Sequence, residues 1–171
     1  MDKGILETTP EDMKLEYCIS INTMIQDEIE HEISKLIGEA VYIKSPKRGL
    51  FPEENSGGKN TIIVETKIPR KWSSEVVRFS LKELPGCCGV MVSYNTRVNN
   101  AYRGKGINSF LQGIKEKIAK NNGYSILMAT TIDINLAEVH ILEKFGWKCI
   151  NKFLNSRTNN TVKIFTKNLE V

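Results

Sequence analysis

A glycine–lysine–glycine turn constrains the fold of this 171-residue chain more than any other feature of its sequence. The stretch 99-NNAYRGKGINSFLQGIKEK-117 places Arg103, Gly104, Lys105 and Gly106 between a strand-like run and a helix-like run. Glycine lets the backbone approach a ligand closely, and the uncovered N–H groups that begin a helix attract anions. The turn is therefore a candidate anion site. The alternative is a plain strand-to-helix turn with an incidental basic pair.

The segments around this turn predict alternating helices and strands. Apolar residues at three- and four-residue steps predict a helix over 104–121: they are Ile107, Phe110, Leu111, Ile114 and Ile118. A further helix is predicted at 135–145. Strand-like runs lie at 61–68, 75–83, 87–98, 124–131, 147–154 and 161–169, and a hairpin loop at 155–160 joins the last two. This order predicts a mixed α/β domain around one sheet.

The N-terminal part predicts helices before any clear strand. A hydroxyl followed by proline at Thr9-Pro10 begins a predicted helix. Apolar residues continue it, as one helix or two, to an end near Gly38: they are Met13, Tyr17, Ile21, Met24, Ile25, Ile29, Ile33, Leu36 and Ile37. Residues 44–60 hold two prolines and three glycines and predict a loop. Only 4-GILE-7 offers a first strand.

Composition favours an ordinary globular protein. Hydrophobic residues make up 40% and charged residues 26% of the chain, and no apolar run approaches the roughly 18 residues that a membrane span needs. Residues 1–17 are acidic and lack the layout of a signal peptide, so we expect a cytoplasmic protein without a membrane partner. The four cysteines are expected to be core thiols, and with only two histidines no metal site is expected.

Charge is distributed unevenly along the chain. Residues 1–40 carry ten acidic residues and three lysines, whereas residues 41–171 carry 21 lysines and arginines and ten acidic residues. A basic body suggests a polyanionic ligand, either a phosphate-rich cofactor or a nucleic acid, with plain solvation as the alternative. The clusters around Lys47 and around Arg70-Lys71-Trp72 would suit nucleic-acid contacts, but the same composition is common in plain loops, which is the favoured interpretation.

Two familiar phosphate-binding loops do not fit the turn. A Walker A loop needs G-x-x-x-x-G-K-[ST], which does not occur in the chain. A dinucleotide fingerprint needs a third glycine where Ser109 stands, and an acidic residue about 20 positions further on, which is missing.

Two motifs together resemble the GNAT superfamily of N-acetyltransferases. Arg103-Gly104-Lys105-Gly106 resembles that family's pyrophosphate loop, Arg/Gln-x-x-Gly-x-Gly/Ala. Downstream, 135-NLAEVHILEKFGWK-148 resembles its second cofactor segment. The resemblance covers about residues 86–154 and implies a mostly antiparallel sheet of six to seven strands, flanked by helices and splayed between the fourth and fifth strands. It also implies a single N-acetyltransferase domain over 1–171, with 86–154 binding acetyl-CoA and 1–43 forming the helical part of the acceptor site.

The resemblance implies a set of cofactor-binding residues. Backbone N–H groups of the turn and of the helix start would contact the pyrophosphate, those of the fourth strand would hold the pantetheine arm, and Asn135 would bind near the thiol. By position the residues are Arg103, Gly104, Lys105, Gly106, Ile107, Asn108 and Ser109 for the phosphates, and Thr96, Arg97 and Val98 for pantetheine. Arg97 and Lys105 are the basic side chains expected at the phosphates, with solvated surface charge as the alternative.

Three positions depart from the family's pattern. Asn108 replaces a glycine or alanine and would narrow the approach unless its amide makes a contact of its own. Leu142 stands where the family usually has the tyrosine that protonates the leaving thiolate, and Thr130 where some members have a glutamate base. Neither side chain transfers a proton well.

Three other residues are candidates for proton transfer. Strand alternation would place Tyr94 on the face of Thr96 and Val98, although a core aromatic is an equal alternative. Asp133 precedes the second predicted helix and is otherwise a turn residue. His140 is of a type that changes charge near neutral pH, but on a helix it points away from position 142.

The function that follows is acetyl transfer from acetyl-CoA to a primary amine by direct attack. The acceptor is a small amine, a protein or a nucleic-acid base. The competing interpretation is a non-catalytic module that binds coenzyme A or nucleic acid, and Leu142 favours it.

Overall fold

A computed structural model of the protein describes residues 21–48, 61–69 and 75–170. Three helices and seven strands follow one another in the order α1 Thr23–Ile37, β1 Tyr42–Arg48, β2 Thr61–Lys67, β3 Glu75–Glu83, β4 Val90–Val98, α2 Ile107–Asn121, β5 Ile126–Ile132, α3 Leu136–Lys144, β6 Lys148–Asn155 and β7 Asn160–Asn168. The strands form one sheet in the order β1-β2-β3-β4-β5-β7-β6. Among these strands only β4 and β5 pair in parallel. The predicted mixed α/β architecture with a mostly antiparallel sheet is confirmed.

Helix α1 buries one apolar stripe against the sheet. Asn22 caps its first turn by accepting from the N–H of Ile25, and Gly38 ends it in the left-handed conformation at φ 74°. Every fourth residue is buried: Ile25, Ile29, Ile33 and Ile37. The predicted end near Gly38 is confirmed, whereas Met24, predicted on the apolar face, is 80% exposed. The predicted helix start at Thr9 and the candidate strand 4–7 lie outside the described residues.

Strand β1 corrects the prediction of a loop over residues 44–60. Residues 44–48 belong to this strand, and residues 49–60 lie outside the described part of the chain. Proline lacks a backbone N–H and is tolerated on sheet edges and at bulges. Pro46 meets both conditions, since β1 is an edge strand whose register shifts between Lys44 and Lys47.

The core lies between the sheet and helices α1 and α2. Its fully buried side chains include Ile29 and Ile33 of α1 together with Phe79, Leu81, Met91, Leu111, Ile114, Ile118, Leu127 and Phe165. Burying a large apolar side chain contributes about 1.5–3 kcal/mol, so this cluster fixes α2 against the strands that carry the site. No helix within residues 21–48, 61–69 and 75–170 is long and apolar enough to cross a membrane.

The cysteine prediction is wrong for the thiols that the structure describes. Cys88 and Cys149 are exposed, and Cys87 is half-buried. Cys87 and Cys88 lie in the turn before β4, and Cys149 lies on the edge strand β6, so none of them faces the core. Cys18 lies outside the described residues.

Candidate functional site

The glycine turn, Arg103–Gly106, presents an uncapped helix start. Gly104 and Gly106 have φ of 77° and 81°, a region that side chains with a Cβ rarely adopt. These conformations keep the turn out of the helix, so α2 begins at Ile107 rather than at the predicted residue 104. Gly106 is the N-cap and offers no side-chain cap, and the first turn carries no acidic residue. The first N–H groups of α2 are therefore available to an anion.

Space in front of the turn is open. A Cβ built on Gly104 or on Gly106 would meet no atom within 4 Å. Backbone conformation, and not packing, is the reason that these two positions need glycine. The open space and the uncapped N–H groups together fit a diphosphate group.

Basic side chains of the turn contact the ends of two neighbouring secondary-structure elements. Arg103 Nε donates to the carbonyl oxygen of Val98, 3.2 Å away, and so ties the turn to the end of β4. Lys105 Nζ lies 3.5 Å from the carbonyl oxygen of Ile37, where α1 ends. Arg97 is exposed and pairs across the ladder with Arg78 of β3. Phosphate contact by Arg97 and Lys105 stays a prediction.

Strands β4 and β5 separate beside the turn. Their parallel ladder runs from Val90 opposite Ile126 to Ser93 opposite Ala129 and then stops. Beyond it, among the described strands, β5 pairs with β7, and residues 95–98 of β4, here called the free segment, have no ladder partner in β5. The splay expected between the fourth and fifth strands is thus present. Thr96, Arg97 and Val98 all lie in the free segment.

A β-bulge lies in β4 at the start of this splay. Asn95 has φ 53°, in the left-handed region that asparagine tolerates better than most residues. On the other side of β4, Arg78 pairs with Arg97 but Ser80 pairs with Tyr94, so one extra residue is accommodated there.

The bulge also reverses the face of the residues after it, which corrects a prediction. Tyr94 pairs with Ser80 and Val98 pairs with Val77, and residues three apart on β3 point to opposite faces. Tyr94 therefore lies on the face opposite to Thr96 and Val98, not on the same one. Simple alternation failed because one left-handed residue interrupts it.

The three candidates for proton transfer lie on different elements. The Tyr94 ring lies 5.1 Å from the ammonium of Lys82. Asp133 lies in the turn between β5 and α3, and its N–H donates to the carbonyl oxygen of Thr161. His140 is exposed on α3, whereas Leu142 is 1% exposed, so the two point apart as expected. The catalytic roles of Tyr94, Asp133 and His140 stay predictions.

The side-chain amide of Asn108 forms hydrogen bonds of its own, as considered from the sequence. Its Nδ2 donates to Glu138 Oε2 of α3 at 2.8 Å, and its Oδ1 accepts from Gln112 Nε2 at 3.4 Å. The Asn108 side chain is therefore turned towards α3. At the start of α3, Asn135 is the N-cap and accepts from the N–H of Glu138 at 3.4 Å, so cofactor binding by Asn135 also stays a prediction.

Lys115 is the residue that sequence reasoning missed. It is 2% exposed on α2, and its Nζ donates to Thr96 Oγ1 in the free segment at 2.8 Å. Burial lowers its pKa from 10.5 to about 8, and the negative charge of Glu138 partly opposes this effect. The signal was present in the spacing, because Lys115 follows Leu111 by four residues and precedes Ile118 by three, on the apolar face of the helix.

Known structures share this architecture. An IAA acetyltransferase from Bacillus cereus superposes with a TM-score of 0.60 at 16% identity over 76% of this chain and 100% of that one. A GNAT-family acetyltransferase from Streptococcus pneumoniae gives a TM-score of 0.55 at 14% identity over 69% and 72%. A Salmonella typhimurium protein named as an acetyltransferase, solved with its cofactor acetyl-CoA, gives 0.54 at 12% over 82% and 70%. No protein-family model matches the sequence, and neither does any curated protein sequence. The chain has the GNAT fold, as its two motifs predicted.

Proposed function

We propose that the protein is an acyl-CoA-dependent N-acyltransferase that transfers acetyl to a primary amine by direct attack. One observation carries this proposal: an uncapped glycine turn lies directly after a strand that has separated from its neighbour. A turn that would suit a diphosphate and a stretch of β4 without a partner in β5 thus lie at the same end of β4. A cofactor with a diphosphate at one end and a thioester at the other matches both parts.

The glycine turn would hold the diphosphate. Backbone N–H groups from Gly104 to Ser109 would contact the phosphates, since the start of α2 has no side-chain cap and the α2 dipole favours negative charge there. Arg103 holds the turn against the end of β4. The basic side chains of Lys105 and Arg97 would add longer-range attraction.

The free segment of β4 would hold the pantetheine arm and the acyl carbonyl. Acetyl-CoA supplies an activated acyl group when bound. Backbone N–H groups of Thr96, Arg97 and Val98 would then hold the carbonyl oxygen, and fixed donors aimed at a developing oxyanion lower the barrier to attack. Asn135 at the start of α3 would contact the arm near the thiol.

The site has no proton-donating side chain at the position where the family usually has its proton donor. Leu142 is buried and donates nothing, so Asp133, His140 and Tyr94 are the side chains we propose to test as acid or base. Tyr94 faces away from Thr96, which makes it the weakest of the three. Solvent is an adequate proton source for a released thiolate of moderate basicity.

The acceptor amine would approach beside the N-terminal region. We propose a single domain over 1–171, with 86–154 binding the cofactor and 1–43 contributing to the acceptor site. Ten acidic residues in 1–40 favour a cationic acceptor such as a polyamine, an aminoglycoside or a lysine-bearing protein. The basic remainder of the chain keeps an amine on a nucleic acid as the second acceptor class.

A thermal-shift titration with acetyl-CoA, coenzyme A and ATP tests the proposal. At a ligand concentration about 100-fold above Kd, specific binding adds about 2.7 kcal/mol of stability. We expect stabilisation by both coenzyme A species and none by ATP. Gly106→Val should abolish the response, because its side chain would enter the open space and its φ of 81° is strained.

Gly113→Ala is the matched control. It lies in the interior of the same helix, where an added Cβ meets no atom within 4 Å, so it should keep the full response. Normal coenzyme A binding by Gly106→Val would show that the glycine turn is not the diphosphate site.

A non-catalytic module is the second candidate function. The buried Leu142 favours it, because the usual proton donor is missing. Release of free thiol from acetyl-CoA in the presence of an amine would exclude this candidate. Steeply salt-dependent retention of nucleic acid, without thiol release, would support it.

A further inference from the structure

Lys115 is a buried cation that makes one hydrogen bond to the described part of the chain. Its Nζ donates to Thr96 Oγ1 at 2.8 Å, and the ring of Phe79 lies 5.8 Å away. Among the described residues, no carboxylate lies within ion-pair distance of it. Glu138 acts on it only at longer range.

Stability does not account for a lysine at this position. A buried charge without an ion-pair partner costs several kcal/mol, and an apolar side chain of similar volume is often as stable or more so. Methionine has nearly the same length and would fill the space between α2 and β4 without a charge. The positive charge therefore points to a role other than packing.

Lys115 contacts β4 at the place where β4 and β5 separate. Its partner Thr96 lies in the free segment, three residues beyond Ser93, where the ladder with β5 stops, and next to the left-handed Asn95. The contact runs from the interior of α2 to the part of β4 that lacks a strand neighbour on the β5 side.

We propose that Lys115 is a positioning residue for acyl transfer, which holds the free segment of β4 through Thr96 and places a positive charge beside the splay. This inference rests on the proposed function and deepens it. It gives the site an electrostatic element that the buried Leu142 does not provide.

The chemistry explains why a positive charge is useful there. The acceptor nitrogen forms a bond to the acyl carbon, the carbon–sulfur bond breaks, and its electron pair leaves with sulfur as the coenzyme A thiolate. The proton lost by the amine passes to solvent or to a base of the site. Both the tetrahedral oxyanion and the thiolate are anions, and a buried positive charge stabilises both.

Bound coenzyme A provides a readout that needs no acceptor. A nearby cation favours the charged form of a thiol and so lowers its pKa. Ultraviolet absorbance of the thiolate, recorded between pH 6 and 10, measures the ionised fraction of the bound thiol. Lys115→Met should reduce the thiolate fraction at pH 7 about tenfold relative to wild type, which corresponds to one pKa unit.

Lys115→Arg distinguishes charge from packing. Arginine stays protonated across this pH range, so it should retain the thiolate fraction seen in wild type. Wild type alone should lose the effect above pH 8 as Lys115 is deprotonated, since its nearest neighbours, Thr96 and Phe79, do not titrate. Thr96→Val should keep the charge but loosen the free segment, and so weaken acetyl-CoA binding more than coenzyme A binding.

Lys120→Met is the matched control, because Lys120 lies on the same helix and is exposed. It should leave the thiol titration unchanged. Equal thiol titrations in wild type and Lys115→Met would overturn the inference while leaving the proposed function intact. Failure of wild type to bind coenzyme A would instead overturn the proposed function, and the inference with it.

Discussion

Replacement of Lys115 by methionine should make the protein more stable at neutral pH. The pKa of Lys115 falls from 10.5 in the unfolded chain to about 8 in the folded one because burial disfavours the charged ammonium. Each tenfold change in an equilibrium constant is about 1.4 kcal/mol, so the folded state carries a penalty of about 3 kcal/mol while Lys115 is charged in both states. Lys115→Met also loses the hydrogen bond to Thr96, which offsets about 1 kcal/mol of the relieved penalty. The expected net gain at pH 7 is about 2 kcal/mol.

The stability difference between wild type and Lys115→Met should change with pH in one direction. Between pH 8 and pH 10.5 the unfolded chain binds more protons at this position than the folded one, so wild-type stability rises with pH through that window. Below pH 8 the penalty is present in full, and above pH 10.5 it is gone. The advantage of Lys115→Met should therefore shrink steadily from pH 8 upward and reach zero at about pH 10, where the remaining penalty equals the lost hydrogen bond. Above that pH the variant should be less stable than wild type by up to about 1 kcal/mol.

Urea denaturation of both proteins from pH 7 to pH 10.5 measures this difference. Subtracting the two free energies of unfolding at each pH removes the titration of all groups that the two proteins share. Lys120→Met, on the exposed side of the same helix, should differ from wild type by less than about 0.5 kcal/mol at every pH. A Lys115→Met protein that is less stable than wild type by a constant amount would show that the lysine is not a charged, desolvated group.

Two further predictions concern other ionisable groups. Burial and the neighbouring Glu83 raise the pKa of Tyr124 to about 12, so its contribution to stability is full below pH 10 and is lost as the pH rises towards 12. Tyr124→Phe should flatten the unfolding free energy in that range, and a curve as steep as wild type would contradict this cause. Glu138→Gln should strengthen coenzyme A binding about threefold in calorimetry at low salt, because it removes a negative charge beside the start of α2. Unchanged or weaker binding would show that this carboxylate lies too far from the phosphates to matter.

Sequence patterns predicted the parts of the fold that depend on local chemistry. The glycines at 104 and 106 and the apolar spacing of α2 are local signals. The turn occurs where it was expected, and the helix ends as predicted but begins at Ile107 instead of residue 104. Strand β1 was missed because Pro46 argues against a strand in general, while its position on the sheet edge, which makes proline acceptable, is a property of the whole sheet.

The bulge at Asn95 could not be predicted from the sequence for a related reason. Period-two alternation assumes an unbroken ladder, and a single asparagine between Tyr94 and Thr96 gives no warning that it will adopt φ 53°. Only the pairing with β3 shows the extra residue, because Ser80 and Arg78 are two apart whereas their partners Tyr94 and Arg97 are three apart. A prediction of side-chain faces therefore fails where the site is formed.

This bulge and the buried lysine both bear on how the free segment of β4 is held in position. A strand that leaves its neighbour loses ladder hydrogen bonds on one side, and a left-handed asparagine costs about 1 kcal/mol more. The free segment would then depend on β3 alone for its position. Lys115 adds a second attachment from the helix side, directly to Thr96. An uncharged side chain of the same size would pack there but would give the Thr96 hydroxyl no donor. Because Lys115 costs stability while it binds Thr96, Lys115→Met should gain stability and at the same time hold this segment of β4 less firmly against α2.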